Sequence, residues 1–134
     1  MGHDGIVTGA QVRPAGDGDA EQLGLIHVRS WQGAYQGLMP QDFLDQLDPA
    51  SRAQGWRSVL RAGDDQASVL VAAGEAGVSG FVSFGPSRDP DADPKRTGEV
   101  FAIYVLPGAW STGQGRLLMA AAASRSPRFA TGAR

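Results

Sequence analysis

Residues Gly98–Ala123 read GEVFAIYVLPGAWSTGQGRLLMAAAA, and the rest of the chain is organised around them. Val100–Val105 is a short apolar run rich in β-branched and aromatic residues, which is the pattern of a buried strand. Leu106-Pro107-Gly108 stops it, because proline has no N–H for a ladder and glycine favours a turn. Ser111-Thr112-Gly113-Gln114-Gly115 then leads into Arg116-Leu117-Leu118-Met119 and an alanine run, all strong helix formers. A strand that enters a helix through a glycine loop presents unpaired backbone N–H groups at the positive end of the helix dipole. That is a site for an anion.

The composition narrows the class of protein. At 134 residues with 42% hydrophobic and 19% charged content, the chain suits one soluble domain with a sizeable core. Twelve Lys+Arg stand against 14 Asp+Glu, so no basic footprint for nucleic acid is present. Cysteine is absent, which removes disulfides, thiolate ligands and a cysteine nucleophile together. His3 and His27 are too few and too far apart to suggest a metal site. MGHDGIVTGA lacks the basic and apolar regions of a signal peptide, and no apolar run approaches ~20 residues. The expectation is a cytoplasmic protein with no membrane or nucleic-acid partner.

Outward from the central stretch, the pattern alternates between helix and strand. Gln11–Pro14 reads as one short strand. Asp17 or Asp19 is placed to cap a helix over roughly Ala20–Tyr35, in which Leu23, Ile26, Ser30 and Ala34 recur at helical spacing. Pro40 opens a short helical piece carrying Phe43, Leu44 and Leu47. Asp48-Pro49 is an N-cap followed by proline at the first helical position, and the helix after it puts Ala53, Trp56, Val59 and Leu60 on one face. Ser68–Ala73 and Val78–Phe84 then form a hairpin across Gly74-Glu75-Ala76-Gly77. Gly85–Thr97 is polar and proline-rich, a surface connection. After Ala123 the periodicity ends, and 124–134 reads as a frayed tail to a single domain spanning 1–123.

Three kinds of anion loop fit this neighbourhood. Gly108 and Gly113 have the spacing of a P-loop, but Gln114 and Gly115 stand where it needs lysine and a hydroxyl. A dinucleotide fingerprint needs a third glycine where Leu118 sits. The third arrangement, Gly113-Gln114-Gly115 followed by Arg116-Leu117-Leu118, resembles the GCN5-related N-acetyltransferase (GNAT) family. Its signature is Gln/Arg-x-x-Gly-x-Gly/Ala, and Trp110 departs from it at the first position. HVRSWQGAYQGLMPQDFLDQL and RAQGWRSVL look like the first two helices of a bacterial subgroup, and the order of elements over residues 10–123 is that of the family.

The resemblance implies a fold, a reaction and a set of residues. The fold is of α+β type, a three-layer α/β sandwich with a mixed, mostly antiparallel sheet flanked by helices, here ending after the helix that follows the central strand. The reaction is acetyl transfer from acetyl-CoA, with no metal, to a primary amine of a small molecule or protein. Ile103, Tyr104 and Val105 would offer backbone groups to the pantetheine arm, as in strand addition. Trp110, Ser111, Thr112, Gly113, Gln114, Gly115 and Arg116 would surround the pyrophosphate. Glu99 is a candidate base and Tyr104 a second acid/base candidate, on the opposite face from Glu99 if alternation is regular. Trp31 and Tyr35 would line the acceptor site, whereas His27 reads as a packed histidine. A central strand without its next neighbour exposes an edge, which predicts a homodimer. A catalytically idle chain that only binds coenzyme A or self-associates is the alternative.

Overall fold

The alternation in Ser68–Ala73 decides the layering. In the computed structural model, which describes residues 10–62, 67–93, 95–110 and 112–125, this segment belongs to strand β2, Ser68–Gly74. Its Val69 and Val71 point to one face of the sheet, and its Leu70 and Ala72 to the other. Both faces are covered, so the strand is apolar throughout instead of alternating with polar residues. Before it come β1 (Gln11–Pro14), α1 (Ala20–Tyr35), α2 (Gln41–Asp45) and α3 (Pro49–Ala62). After it come β3 (Gly77–Pro86), β4 (Gly98–Val105) and α4 (Gln114–Arg125). The sheet has the order β1-β2-β3-β4, and every pairing is antiparallel.

The two faces hold separate cores. Leu23 and Ile26 of α1 pack on Val69, Val71 and Phe81, with Trp56, Val59 and Leu60 of α3 closing the cluster. On the opposite face, Leu118 and Ala122 of α4 pack on Leu70, Ala72, Val82 and Phe84. The three layers and the element order match the sequence-based expectation. The hairpin turn is Glu75-Ala76, closed by the Gly74–Gly77 pair, with Gly77 at φ +107°. Asp48 accepts a hydrogen bond from the Ala50 amide at 3.0 Å, one residue ahead of Pro49, as the capping motif predicts.

Two details depart from expectation. Neither Asp17 nor Asp19 caps α1. Asp19 instead accepts two hydrogen bonds from the Arg13 guanidinium, at 2.9 and 3.0 Å, and one from the Gly16 amide at 2.8 Å. Asp17 accepts from Arg61 at 2.9 Å. A charged, forked donor competes successfully for a carboxylate that a helix amide would otherwise hold. The second departure is in β4. Ser83 pairs with Ala102, yet Phe84 pairs with Val100, so Phe101 is an extra residue. This bulge reverses the alternation upstream of it. Glu99 therefore lies on the α1 side of the sheet together with Tyr104, not on the opposite face.

Gly24 sets the distance between α1 and α3. A Cβ there would lie 2.4 Å from the Pro49 carbonyl oxygen and 2.6 Å from the Ala53 nitrogen, both backbone atoms that cannot step aside. Gly24→Ala is expected to destabilise the fold by about 1–3 kcal/mol, the range for overpacking. Urea unfolding of the two proteins, showing a lower midpoint at unchanged slope, checks this.

Candidate functional site

β4 has one neighbour, and its phase on that neighbour decides which backbone groups are free. Leu106 donates from its amide to the Ser79 carbonyl at 2.8 Å. In the same register, Tyr104 faces Phe81 and Ala102 faces Ser83. Hydrogen-bonded pairs alternate with non-bonded ones in an antiparallel ladder. The N–H and C=O groups of Tyr104 are therefore bonded to β3. Those of Ile103 and Val105 turn outward, to an edge that has no strand partner among the described residues. Of the three residues expected to offer backbone groups to the pantetheine arm, Ile103 and Val105 have theirs turned outward and Tyr104 has its own turned to β3.

Trp110 reaches back over that edge, and its indole N–H donates to the outward Val105 carbonyl at 2.7 Å. The chain path that allows this passes α1 closely. A Cβ at Gly33 would lie 2.8 Å from Pro107 Cγ and 3.0 Å from Trp110 Cη2. Beyond Trp110, Ser111 lies outside the described residues. Gly113 then takes φ +88°, a left-handed conformation that other residues rarely adopt. α4 starts at the next residue. The first amide with an acceptor in that turn is Leu117, bonded to the Gly113 carbonyl at 3.0 Å. The amides of Gly113, Gln114, Gly115 and Arg116 find no acceptor among the described residues, as expected for an uncapped helix start. Among the described residues, a Cβ on Gly115 would meet no atom outside its own helix within 4 Å, so its missing side chain leaves space beside those amides. The Gln114 side chain is held by the Ser79 hydroxyl at 2.7 Å, which fixes the helix start to β3.

Several expected site residues meet in one cleft. Trp31, Tyr35, Ile103, Tyr104, Val105 and Trp110 line a space of about 300 Å³ along the outward edge of β4. The Trp31 indole N–H donates to the Tyr104 hydroxyl at 3.2 Å, and the Trp31 and Tyr35 rings lie 4.8 Å apart. Glu99 is not among them. It stands at the other end of β4, opposite Gly85 where Tyr104 is opposite Phe81, roughly 13 Å along the sheet at the usual rise per residue. The Arg88 side chain donates to it at 3.0 Å and the Arg88 amide at 2.8 Å. The guanidinium, and after it the amide, hold the Glu99 carboxyl below the ordinary glutamate range. The same guanidinium lies 3.9 Å over the Phe101 ring. Glu99 thus anchors the connection between β3 and β4.

Two features went unread in the sequence. The His27 ring stacks on Tyr104 at 4.7 Å and accepts the Trp56 indole N–H on Nδ1 at 3.1 Å. It therefore supports the tyrosine from beneath as well as filling the core. A larger cleft of about 770 Å³ opens between α1, α2 and the Leu106–Ala109 segment, with Arg29, Gln32, Gln36, Gln41 and Asp45 on its wall. It forms because Gln32 donates to the Leu44 carbonyl at 2.9 Å, folding α2 back on α1. No local pattern announces that contact. Among the described residues no cluster of side chains suits a metal ion, and no helix is long and apolar enough to cross a membrane.

Comparison with known proteins agrees with this geometry. The model of the Acetyltransferase (GNAT) family matches residues 26–133. The chain belongs to that family, and its α+β architecture is the GNAT fold. It is similar to the uncharacterized N-acetyltransferase YuaI of Bacillus subtilis (strain 168), with 36% identity over 110 residues. That alignment takes in 81% of this chain and 60% of the relative, so the chain spans about three fifths of the curated relative's length. Among solved structures, it is similar to the PaiA N-acetyltransferase from Thermoplasma acidophilum in complex with coenzyme A. That match has a TM-score of 0.65 and 16% identity, and covers 86% of this chain and 70% of the other. A ribosomal-protein-alanine N-acetyltransferase from Brucella melitensis matches with a TM-score of 0.60 and 28% identity, over 90% and 68% of the two chains.

His27 carries a pH dependence of known sign. Burial, and then the nearby Arg52 charge, push its imidazole below the ordinary histidine range. The proton acceptor Nδ1 is also the atom that holds Trp56. Protonation is thus disfavoured in the fold relative to the unfolded chain. The stability His27 contributes is complete above the ordinary histidine range and is lost as pH falls through it to the lower folded value. Thermal melts from pH 8 to 5 should show this decline in the wild-type chain and a flatter one in His27→Gln, whose difference removes the contribution of His3.

Proposed function

We propose that the chain moves an acetyl group from acetyl-CoA to a primary amine. The carrying observation is the row of amides at Gly113–Arg116 that have no acceptor among the described residues, reached through a left-handed glycine. Four N–H groups at the positive end of a helix dipole suit a diphosphate. Arg116, exposed at the same turn, adds a cation. The outward N–H and C=O of Ile103 and the outward N–H of Val105 suit the amide groups of a pantetheine arm, which would lie along β4 as an added strand. Coenzyme A in the Thermoplasma acidophilum relative supports the choice of ligand.

The thioester supplies an activated acyl carbon; the protein must orient the amine and manage two protons. The amine nitrogen bonds to the carbonyl carbon and the carbon–sulfur bond breaks. The nitrogen then loses one proton and the sulfur takes one. Tyr104 is our candidate acid for the sulfur. Its oxygen already accepts from Trp31, so its own O–H is the part left to donate, and His27 holds the ring flat from the other side. Glu99 is the weaker candidate, since Arg88 lowers its affinity for a proton and it stands at the far end of β4 from Tyr104. Trp31 and Tyr35 border the acceptor.

The open edge supports a second use. A flat strand edge with free groups pairs readily with another copy, so a homodimer through β4 fits the same geometry. Both uses need Ile103 and Val105, and they exclude each other. Sedimentation of the chain should therefore show a dimer that acetyl-CoA converts to monomer; a dimer indifferent to acetyl-CoA places the contact elsewhere.

Gly115→Glu tests the diphosphate site with the fold as its own control. A carboxylate in the first turn of α4 favours the helix dipole and meets no protein atom nearby, so the melting temperature should hold or rise. The same charge repels a diphosphate. Acetyl-CoA at 100 times its Kd should stabilise the wild-type chain by about 2.7 kcal/mol and leave the variant unmoved. A wild-type chain that acetyl-CoA does not stabilise at millimolar concentration overturns the transferase reading.

A further inference from the structure

We infer that the cleft between α1, α2 and the Leu106–Ala109 segment is a second small-molecule site, for a zwitterion with an apolar side chain: a free amino acid or a dipeptide. Its volume of about 770 Å³ is ample for either. It is separate from the edge of β4. Leu25, Arg29, Gln32 and Gln36 line it at the i, i+4, i+7 and i+11 spacing of one helix stripe. Ser30, Trp31, Ala34 and Tyr35 line the cleft beside Tyr104. At 3.6 residues per turn the two stripes lie on nearly opposite sides of α1. A molecule seated on the first stripe is separated from the Tyr104 hydroxyl by the helix itself.

Two opposite charges line this cleft, and each is held by a glutamine instead of by the other. The Arg29 guanidinium donates to Gln32 Oε1 at 3.0 Å, and the Asp45 carboxylate accepts from Gln41 Nε2 at 2.8 Å. Gln32 Nε2 donates in turn to the carbonyl of Leu44, the residue before Asp45, at 2.9 Å. The Gln32 amide is thus used at both ends and stands between the cation and the anion. Among the described residues Arg29 has no ion pair, in contrast to Arg13, Arg61 and Arg88. Its remaining N–H groups keep the fork geometry that receives a carboxylate. Asp45 keeps its second oxygen for an ammonium group. Leu25, Leu106 and Pro107 supply the apolar surface between them. Each charge is exposed, and one such contact alone is worth little. Selection comes from meeting both charges at once with a side chain on the apolar surface.

Calorimetric titration of the full chain with leucine and alanyl-leucine tests this. N-acetylleucine lacks the ammonium and leucinamide lacks the carboxylate, and the dipeptide is blocked in the same two ways. The zwitterion should bind about tenfold more tightly than either blocked form. Arg29→Gln should remove its advantage over the amide, and Asp45→Asn its advantage over the N-acetyl form. Neither residue makes the Gln32–Leu44 bond, so the melting temperature should hold in both variants. The tighter of leucine and alanyl-leucine identifies the length of the ligand. No binding of either at millimolar concentration overturns the site, as do blocked forms that bind equally well or an Asp45→Asn chain that keeps the full preference. Should a variant fail to fold, the blocked ligands on the wild-type chain decide alone. Incubation with acetyl-CoA should return the zwitterion unacetylated; its acetylation would place the acceptor here and overturn the separate assignment. The acetyl-CoA melting shift tests the transferase reading independently of all these results.

Discussion

The pairing of Tyr104 with Phe81 fixes the phase of β4, and the site depends on that phase. With Tyr104 bonded inward, its side chain is directed to α1, where it meets His27 and Trp31. Its neighbours Ile103 and Val105 are forced outward by the alternation of the ladder. Shifting the register by one residue would turn Tyr104 away from α1 and close off the two outward residues together. The bulge at Phe101 shows how the chain protects this phase. Upstream of it the alternation is reversed, so Glu99 lies on the α1 side, where Arg88 holds it, while the downstream half of β4 keeps its own phase.

Close approach is the second constraint, and it falls on glycine wherever backbones or rings meet. Gly24 lets α1 lie against the start of α3, and Gly33 lets the Pro107–Trp110 segment lie against α1. Gly80 admits the Tyr104 carbonyl at 3.1 Å and Leu118 of α4 at 3.3 Å from where its Cβ would stand. The path from β4 to α4 is therefore guided on both sides before Gly113 makes its left-handed turn. Gly115 differs from all of these. Among the described residues, no atom outside its own helix lies within 4 Å of where its Cβ would stand.

Much of this was legible in the sequence, and what was missed has a common cause. The strand at Ser68–Ala73, the Asp48-Pro49 start of α3 and the start of a helix just after Gly113 are local signals, and each forms as read. The unread features depend on contacts across long separations. Asp17 and Asp19 look like caps because the sequence does not show Arg61 and Arg13 coming to claim them. The bulge is invisible because β-branched and aromatic residues continue through it without a break. Trp110 is legible as a departure from a motif, yet its indole bond to Val105 needs the chain to turn back on itself first. Trp31 and Tyr104 are suspected separately and belong to one hydrogen-bonded pair.

That pair explains why a cleft so rich in aromatic residues carries so little polarity. Tryptophan has one donor and no acceptor, so an indole that has found its partner is an apolar surface thereafter. Trp31 and Trp110 each find that partner within the protein, and both partners belong to β4. The strand thus uses one hydroxyl and one carbonyl to fasten two rings along its own edge. What remains exposed to a ligand is a run of backbone groups on one side and ring faces on the other. The two surfaces meet at the Tyr104 hydroxyl, which Trp31 holds in place.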